Sequence, residues 1–192
     1  MAVDFKRAAG RLAVLLLAGC GHSPPTRFFT LDPVPASRPA AAGTMAPVRL
    51  DAVHIPPALD RPQVVTQLGA NRLDVHDLDQ WASPLGEMMR QTLAQDLLAR
   101  LPQGEFVLPD APRPAGARGL VVDVLQIDAA PGGQVTMQAS WTVMTPGTNR
   151  ILLVRNVQLT ADASPGPQGA AAAMSQLLGQ LADQIAGAMP PA

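Results

Sequence analysis

One thiol and three imidazoles are the side chains best suited to covalent or proton-transfer chemistry, and the thiol has the more telling context. Cys20 is the only cysteine of the 192 residues, so it cannot close an internal disulfide. It directly follows Leu16-Leu17-Ala18-Gly19, with Lys6, Arg7 and Arg11 supplying a positive stretch and Leu12 to Ala18 an apolar one. That run is far shorter than the roughly 20 apolar residues a membrane span needs. It predicts a cleaved secretory signal over residues 1–19. Ala18 and Gly19 leave room for a protease, with the cut between Gly19 and Cys20. The chemistry then open to Cys20 is attachment of a diacylglycerol through its sulfur.

His22, His54 and His76 lie in unrelated contexts and lack metal-ligand spacing. His54 and His76 fall on candidate strands near Asp51, Asp74 and Asp77. A His/Asp acid–base site is one reading of them, and packed or solvated strand residues are the other. Asp74, Asp77 and Asp79 form a small acidic cluster, read as a solvated face. There is no Gly-x-Ser-x-Gly elbow, Walker loop or dinucleotide-binding glycine pattern. The sequence therefore predicts no enzyme, no catalytic residue, no cofactor and no bound metal.

The pattern from Leu16 to Cys20 resembles the bacterial lipobox at all of its core positions. One acyl chain holds a protein to a membrane only marginally, whereas two or more anchor it stably at about 0.8 kcal/mol per buried CH₂. In lipoproteins of this kind an Asp after the cysteine marks inner-membrane retention. Gly21 stands there, which places the chain on the periplasmic face of the outer membrane of a Gram-negative bacterium. Removing residues 1–19 leaves 173, enough for one domain with a sizeable core. These carry 11 arginines, no lysine and 14 acids, a formal charge of −3 without a basic cluster, so no nucleic-acid partner is expected. Residues 163–182 lack charge but carry Gln168, Gln176, Gln180 and several glycines, a poor composition for a second span.

The elements that would position any site follow in order. Residues 20–26 read as a lipidated tether and 27–192 as one periplasmic domain, with a Pro/Ala-rich loop at 33–47. Arg27 to Leu31 is a short strand whose Phe28-Phe29 pair suggests packing into the domain. Val48 to Ile55 alternates, with Val48, Leu50, Ala52 and His54 on one face. A turn at Leu59 to Gln63 leads to a strand at Val64-Val65. Gly69-Ala70-Asn71 is a hairpin turn, with a return strand from Arg72 to His76. A helix opens at Ser83-Pro84, capped by Ser83 with Pro84 at its first position. Leu85, Met89, Leu93 and Leu97 form its core stripe, and it ends near Leu101-Pro102. Strands follow at 105–108, 120–127, 134–143 and 151–159, the last three as a meander turning at 131–133 and 146–147. A second helix spans 168–188, with Met174, Leu177, Leu178, Leu181 and Ile185 on one stripe, and Pro190-Pro191 stops it. This order predicts an α+β, three-layer α/β-like domain, its mixed and mostly antiparallel sheet carrying two long helices.

Ile55-Pro56-Pro57-Ala58-Leu59-Asp60-Arg61-Pro62-Gln63-Val64-Val65-Thr66, Asn71-Arg72-Leu73 and Trp81-Ala82-Ser83-Pro84-Leu85 succeed one another after the lipobox and Phe28-Phe29-Thr30-Leu31-Asp32. In combination and order they resemble the ABC-type transport auxiliary lipoproteins of the PqiC/YmbA kind, over essentially all of the mature chain. Ala58 departs from an aromatic frequent in that family, and Ser83 from an acid. The resemblance implies a non-catalytic periplasmic subunit that accompanies an MCE-domain protein in lipid (phospholipid) transport and envelope integrity. It also implies that the ATPase and permease are separate chains. Leu59, Asp60, Arg61, Pro62, Trp81, Pro84 and Leu85 match the family motif, in a structural or a partner-contact role. Self-association into a homo-oligomer is a further expectation. The competing readings are a freestanding lipid or lipoprotein carrier and a structural envelope lipoprotein.

Mass spectrometry of the membrane-extracted protein is expected to find triacylated Cys20 as the first residue. An intact Met1, or cleavage elsewhere, contradicts that reading.

Overall fold

Strict alternation of apolar and polar residues predicts a half-buried strand at 134–143, and the computed structural model has it. It describes residues 24–36, 45–69, 71–130, 133–148 and 150–189. Strand β7 (Gln134–Met144) buries Val135, Met137, Ala139, Trp141 and Val143, while the residues between them stay partly or fully accessible. It lies between β6 (Arg118–Ala130) and β8 (Ile151–Asp162), antiparallel to both. Parallel to β6 runs β2 (Val48–His54), and parallel to β2 runs the short β5 (Phe106–Val107). The order β5-β2-β6-β7-β8 puts the most continuously apolar segment, β6, at the centre. The expected meander and mixed sheet are both present. Gly133 and Gly147, in the turns that bound β7 and β8, have φ of 81° and 74°, which favours glycine.

The even alternation expected along β2 is interrupted. A bulge between Leu50 and Ala52 shifts the register against β6. Val48 and Leu50 are fully buried, but beyond the bulge Val53 turns towards the core and His54 is exposed.

A second, three-stranded sheet has the order β1-β4-β3. Strands β3 (Gln63–Gly69) and β4 (Arg72–Trp81) form the expected hairpin, with Asn71 at φ 60° in its turn. Ala70 lies outside the described residues. β4 runs five residues beyond the predicted His76, because its second half pairs in parallel with β1 (Arg27–Phe29). That pairing corrects the reading of the acidic cluster as a solvated face. Asp79 is buried, and its two carboxylate oxygens accept from Arg27 Nε at 2.5 Å and Nη2 at 2.8 Å. A salt link across 52 residues leaves no local trace in the sequence. β1 packs inward through Phe29, whereas Phe28 is 65% exposed.

Helix α1 (Leu85–Arg100) buries Leu85, Met89, Leu93 and Leu97 as its spacing predicts. Ser83 does not cap it. Pro84 is the N-cap, and its carbonyl accepts from the Glu87 and Met88 amides. A residue preceding proline is pushed into extended backbone, so the helix starts one residue later than expected. Helix α2 (Pro167–Ala188) packs against α1, β7 and β8, with Met174, Leu177, Leu178, Leu181 and Ile185 buried. Pro190 and Pro191 lie outside the described residues.

Residues 31–34 are tied to both helices. Thr92 Oγ1 donates to the Leu31 carbonyl at 3.2 Å, and the Asp32 amide donates to Ser175 Oγ at 3.1 Å. The Val34 amide donates to Asp96 Oδ1 at 2.8 Å. Arg100 Nη1 donates to the Val34 carbonyl and Asp96 Oδ1, and its Nε to Asp183 Oδ1 on α2. Asp96 is 0% exposed, and among the described residues its Oδ2 has no partner.

Burial outweighs the Val34 amide and the Arg100 charge, and raises the Asp96 carboxyl above its ordinary range. The folded state then holds a proton at a pH where the unfolded chain has released it. This group's contribution to stability is full below the unfolded pKa and is lost as pH rises through the folded one. Asp96→Asn keeps an acceptor for Val34 and cannot titrate, so it should remove that fall. Urea midpoints compared across the acidic range check this, and parallel profiles for the two proteins contradict it.

Candidate functional site

The motif residues separate into anchors and a surface. Leu59, Trp81 and Leu85 point inward and are buried. Asp60, Arg61, Pro62 and Pro84 point outward and are exposed. Two prolines shape the first half, since Pro56 and Pro57 end the strand approach and their carbonyls accept from the Leu59 and Asp60 amides. The Arg61 amide then bonds the Leu59 carbonyl at 2.9 Å. This turn is closed by backbone and not by a local Asp60–Arg61 ion pair. Among the described residues neither side chain forms an ion pair. The two halves of the motif meet where the Trp81 amide donates to the Pro62 carbonyl at 2.7 Å. The next amide, Ala82, donates to the Phe29 carbonyl at 2.9 Å, which joins the motif to β1.

Asp60, Arg61, Pro62, Trp81, Ser83 and Pro84 line an open pocket of about 300 Å³. Asp60 and Pro84 also border a neighbouring cleft of about 380 Å³, walled by Val53, His54, Ile55, Gly86, Glu87 and Arg90. Glu87 accepts from Arg90 Nη2 at 2.7 Å, and this contact holds its carboxyl below the usual range. Arg90 reaches Asp110 as well, at 3.2 Å, and its guanidinium stays charged. The surface thus presents the unpaired charges of Asp60 and Arg61 with Pro62 and Pro84, over the buried Trp81, with the Glu87–Arg90 pair at its rim. Such a surface can bind by charge and shape.

The histidines are not brought together. His54 Nδ1 lies 2.7 Å from Asp123 Oδ1 in solvent, a carboxylate on β6 and not one of those near it in sequence. His76 Nε2 lies 2.9 Å from Thr66 Oγ1 and 3.7 Å from Asp74. Among the described residues no three His, Cys, Asp or Glu side chains are grouped to hold a metal ion. No described helix is long and apolar enough to cross a membrane. Gly19 and Cys20 lie outside the described residues. Sequence reasoning missed Asp79, whose partner Arg27 is 52 positions away, and Asp96, which joins distant Val34 to Arg100 four residues along its own helix. The Glu87–Arg90 pair was accessible in principle from its three-residue helical spacing.

Residues 29–186 match the ABC-type transport auxiliary lipoprotein components. The chain belongs to that family. A crystal structure of an uncharacterised protein is similar to this auxiliary lipoprotein with a TM-score of 0.72 at 21% identity, covering 87% of this chain and 100% of the other. A crystal structure of a protein from Xanthomonas campestris is similar at a TM-score of 0.69 and 15% identity, over 84% of this chain and 93% of its own. At these identities the likeness is one of fold. Among curated proteins, none matches the chain in sequence. The auxiliary lipoprotein thus has the fold and the family that its motifs implied, and its motif positions form one contiguous surface patch over a buried base.

Proposed function

We propose that this auxiliary lipoprotein is the outer-membrane-anchored, periplasmic and non-catalytic adaptor of an MCE/ABC-type lipid transport system. Acyl chains on Cys20 hold it in the leaflet, and the Asp60–Arg61–Pro62 turn with Pro84 is the surface offered to an MCE-domain protein. The observation that carries this reading is the division of the motif. Leu59 and Trp81 are buried beneath the turn, whereas Asp60 and Arg61 stand exposed on it without an ionic partner among the described residues, so both charges are available to a partner. Family membership supplies the transporter, and the lipobox supplies the membrane. The reading includes self-association, for which the outer strand β8 offers exposed Ile151, Leu152 and Val154. A freestanding lipid carrier is less well supported. It calls for a mostly apolar cavity that buries most of its ligand, whereas Asp60, Glu87 and Arg90 border the 380 Å³ cleft and the 300 Å³ pocket is open and flanked by Asp60 and Arg61.

Affinity purification of the lipidated full-length protein from its own membranes should recover an MCE-domain protein. Arg61→Glu should lower that recovery several-fold while leaving Cys20 acylation unchanged and stability within about 0.5 kcal/mol, as is usual for an exposed site. Trp81→Ala should instead cost about 3–5 kcal/mol, as expected for a buried aromatic. Intact, acylated protein that brings down no MCE-domain protein contradicts the proposal.

A further inference from the structure

Phe28 is the most exposed large apolar side chain of the described residues, at 65%, and it stands at the end of the chain nearest Cys20. Its neighbours on the sheet follow from register. In the parallel pairing of β1 with β4, Phe28 is opposite Gln80 and Phe29 is opposite Trp81. Strand alternation therefore puts Phe29 and Trp81 on the core side, and Phe28 and Gln80 on the outer side. Leu78, two residues before Gln80, precedes the stretch paired with β1, where the β3–β4 register shifts, and is 43% exposed. An exposed aromatic and an exposed leucine thus stand on neighbouring strands at this end of the small sheet.

Chain length and charge say what meets them. Eight peptide steps lead from Cys20 to Phe28, a reach of at most about 29 Å when fully extended. β1 is fixed to the body of the domain by the Arg27–Asp79 link and by the amide of Ala82 on Phe29. Residues 21–31 contain no carboxylate and their one permanent charge is Arg27, so this stretch is not repelled by phosphate headgroups, while on β4 the exposed Asp77 flanks Leu78 and sets how deep that side can sit. The geometry points to a membrane-contact face. Phe28 and Leu78 sit in the interfacial region of the leaflet that holds the acyl chains of Cys20, as aromatic and aliphatic side chains do on interfacial segments. This inference rests on the proposed acylation of Cys20. It adds an orientation to the anchor, with the small sheet lying on the lipid. The motif surface, one hydrogen bond away through Ala82 and Trp81, is then held close to the leaflet.

The test uses the acylated full-length protein in vesicles of phosphatidylethanolamine and phosphatidylglycerol with brominated acyl chains, which quench nearby indoles. Phe28→Trp and Leu78→Trp are made separately, and emission from the buried Trp81 and Trp141 is subtracted using the unaltered protein. Both introduced indoles should shift to shorter wavelength and lose most of their emission relative to unbrominated vesicles. Quenching at position 28 alone marks a loose terminus near lipid and overturns the sheet-face contact. Quenching at neither position, or a change only when an MCE-domain protein is added, also overturns it. Flotation and the mass of the N-terminal peptide are read in the same samples. Protein that is unacylated and fails to float overturns anchor and orientation together, whereas acylated, floating protein with unquenched indoles overturns the orientation alone.

Discussion

Arg100 is the residue on which the arrangement of this domain turns. Its guanidinium is buried between two helices and a strand of loop, and it meets Asp96, Asp183 and the Val34 carbonyl together. Removing one member of such a buried set leaves an uncompensated charge, at a cost of about 3–5 kcal/mol. The set therefore enforces one geometry more than it adds net stability. Gly179 shows how tight that geometry is. A Cβ there would come within 2.9 Å of Val34 Cβ and 3.3 Å of Arg100 Nη2. Glycine inside a helix costs up to about 1 kcal/mol against alanine, and here it admits the segment that the arginine holds. Leu31 to Val34 is consequently tied to the body of the domain, with Leu31 in the core, although its backbone is irregular and it contains Pro33.

Periodic features were legible in the sequence and long-range pairings were not. The four-residue stripe of α1, the alternation of β7 and the apolar run of β6 each report their own burial. The turns at Asn71 and Gly147 are also local chemistry, and they stand where expected. Most of the misses have a partner elsewhere in the chain. β4 looked as though it ended at His76 because its remaining residues are acidic, and only pairing with β1 keeps them extended. Asp79 looked solvated because its arginine lies 52 positions away. The bulge in β2 arises from register against β6, which no single-strand pattern encodes. Ser83 had the right side chain for a cap, but the following proline moved the start of the helix.

The motif behaved differently from the core. Its residue types named the family, while their spacing could not say which of them face solvent. The structure makes that division, with Leu59, Trp81 and Leu85 holding a base and Asp60, Arg61, Pro62 and Pro84 displayed on it. The backbone bonds from Pro62 to Trp81 and from Ala82 to Phe29 place that display beside the first strand of the domain. On the proposed anchoring, the same strand is the one closest to the membrane. An adaptor that must meet a partner arriving at a lipid surface gains from this, because the docking turn is fixed to the first strand, the described part of the domain nearest Cys20 in the chain.

The central claim is that the segment from Arg27 to Val34 is integral to the fold, so that first strand and motif surface move as one body. Native-state amide hydrogen exchange on the full-length protein tests it most directly. The account predicts that the Val34 and Ala82 amides, which bond Asp96 and the Phe29 carbonyl, exchange only with the opening of the domain, at rates comparable to amides of β6 and β7. Exchange of those two amides at free-chain rates, while β6 and β7 remain protected, would show the N-terminal segment to be a detached tether and would contradict the account.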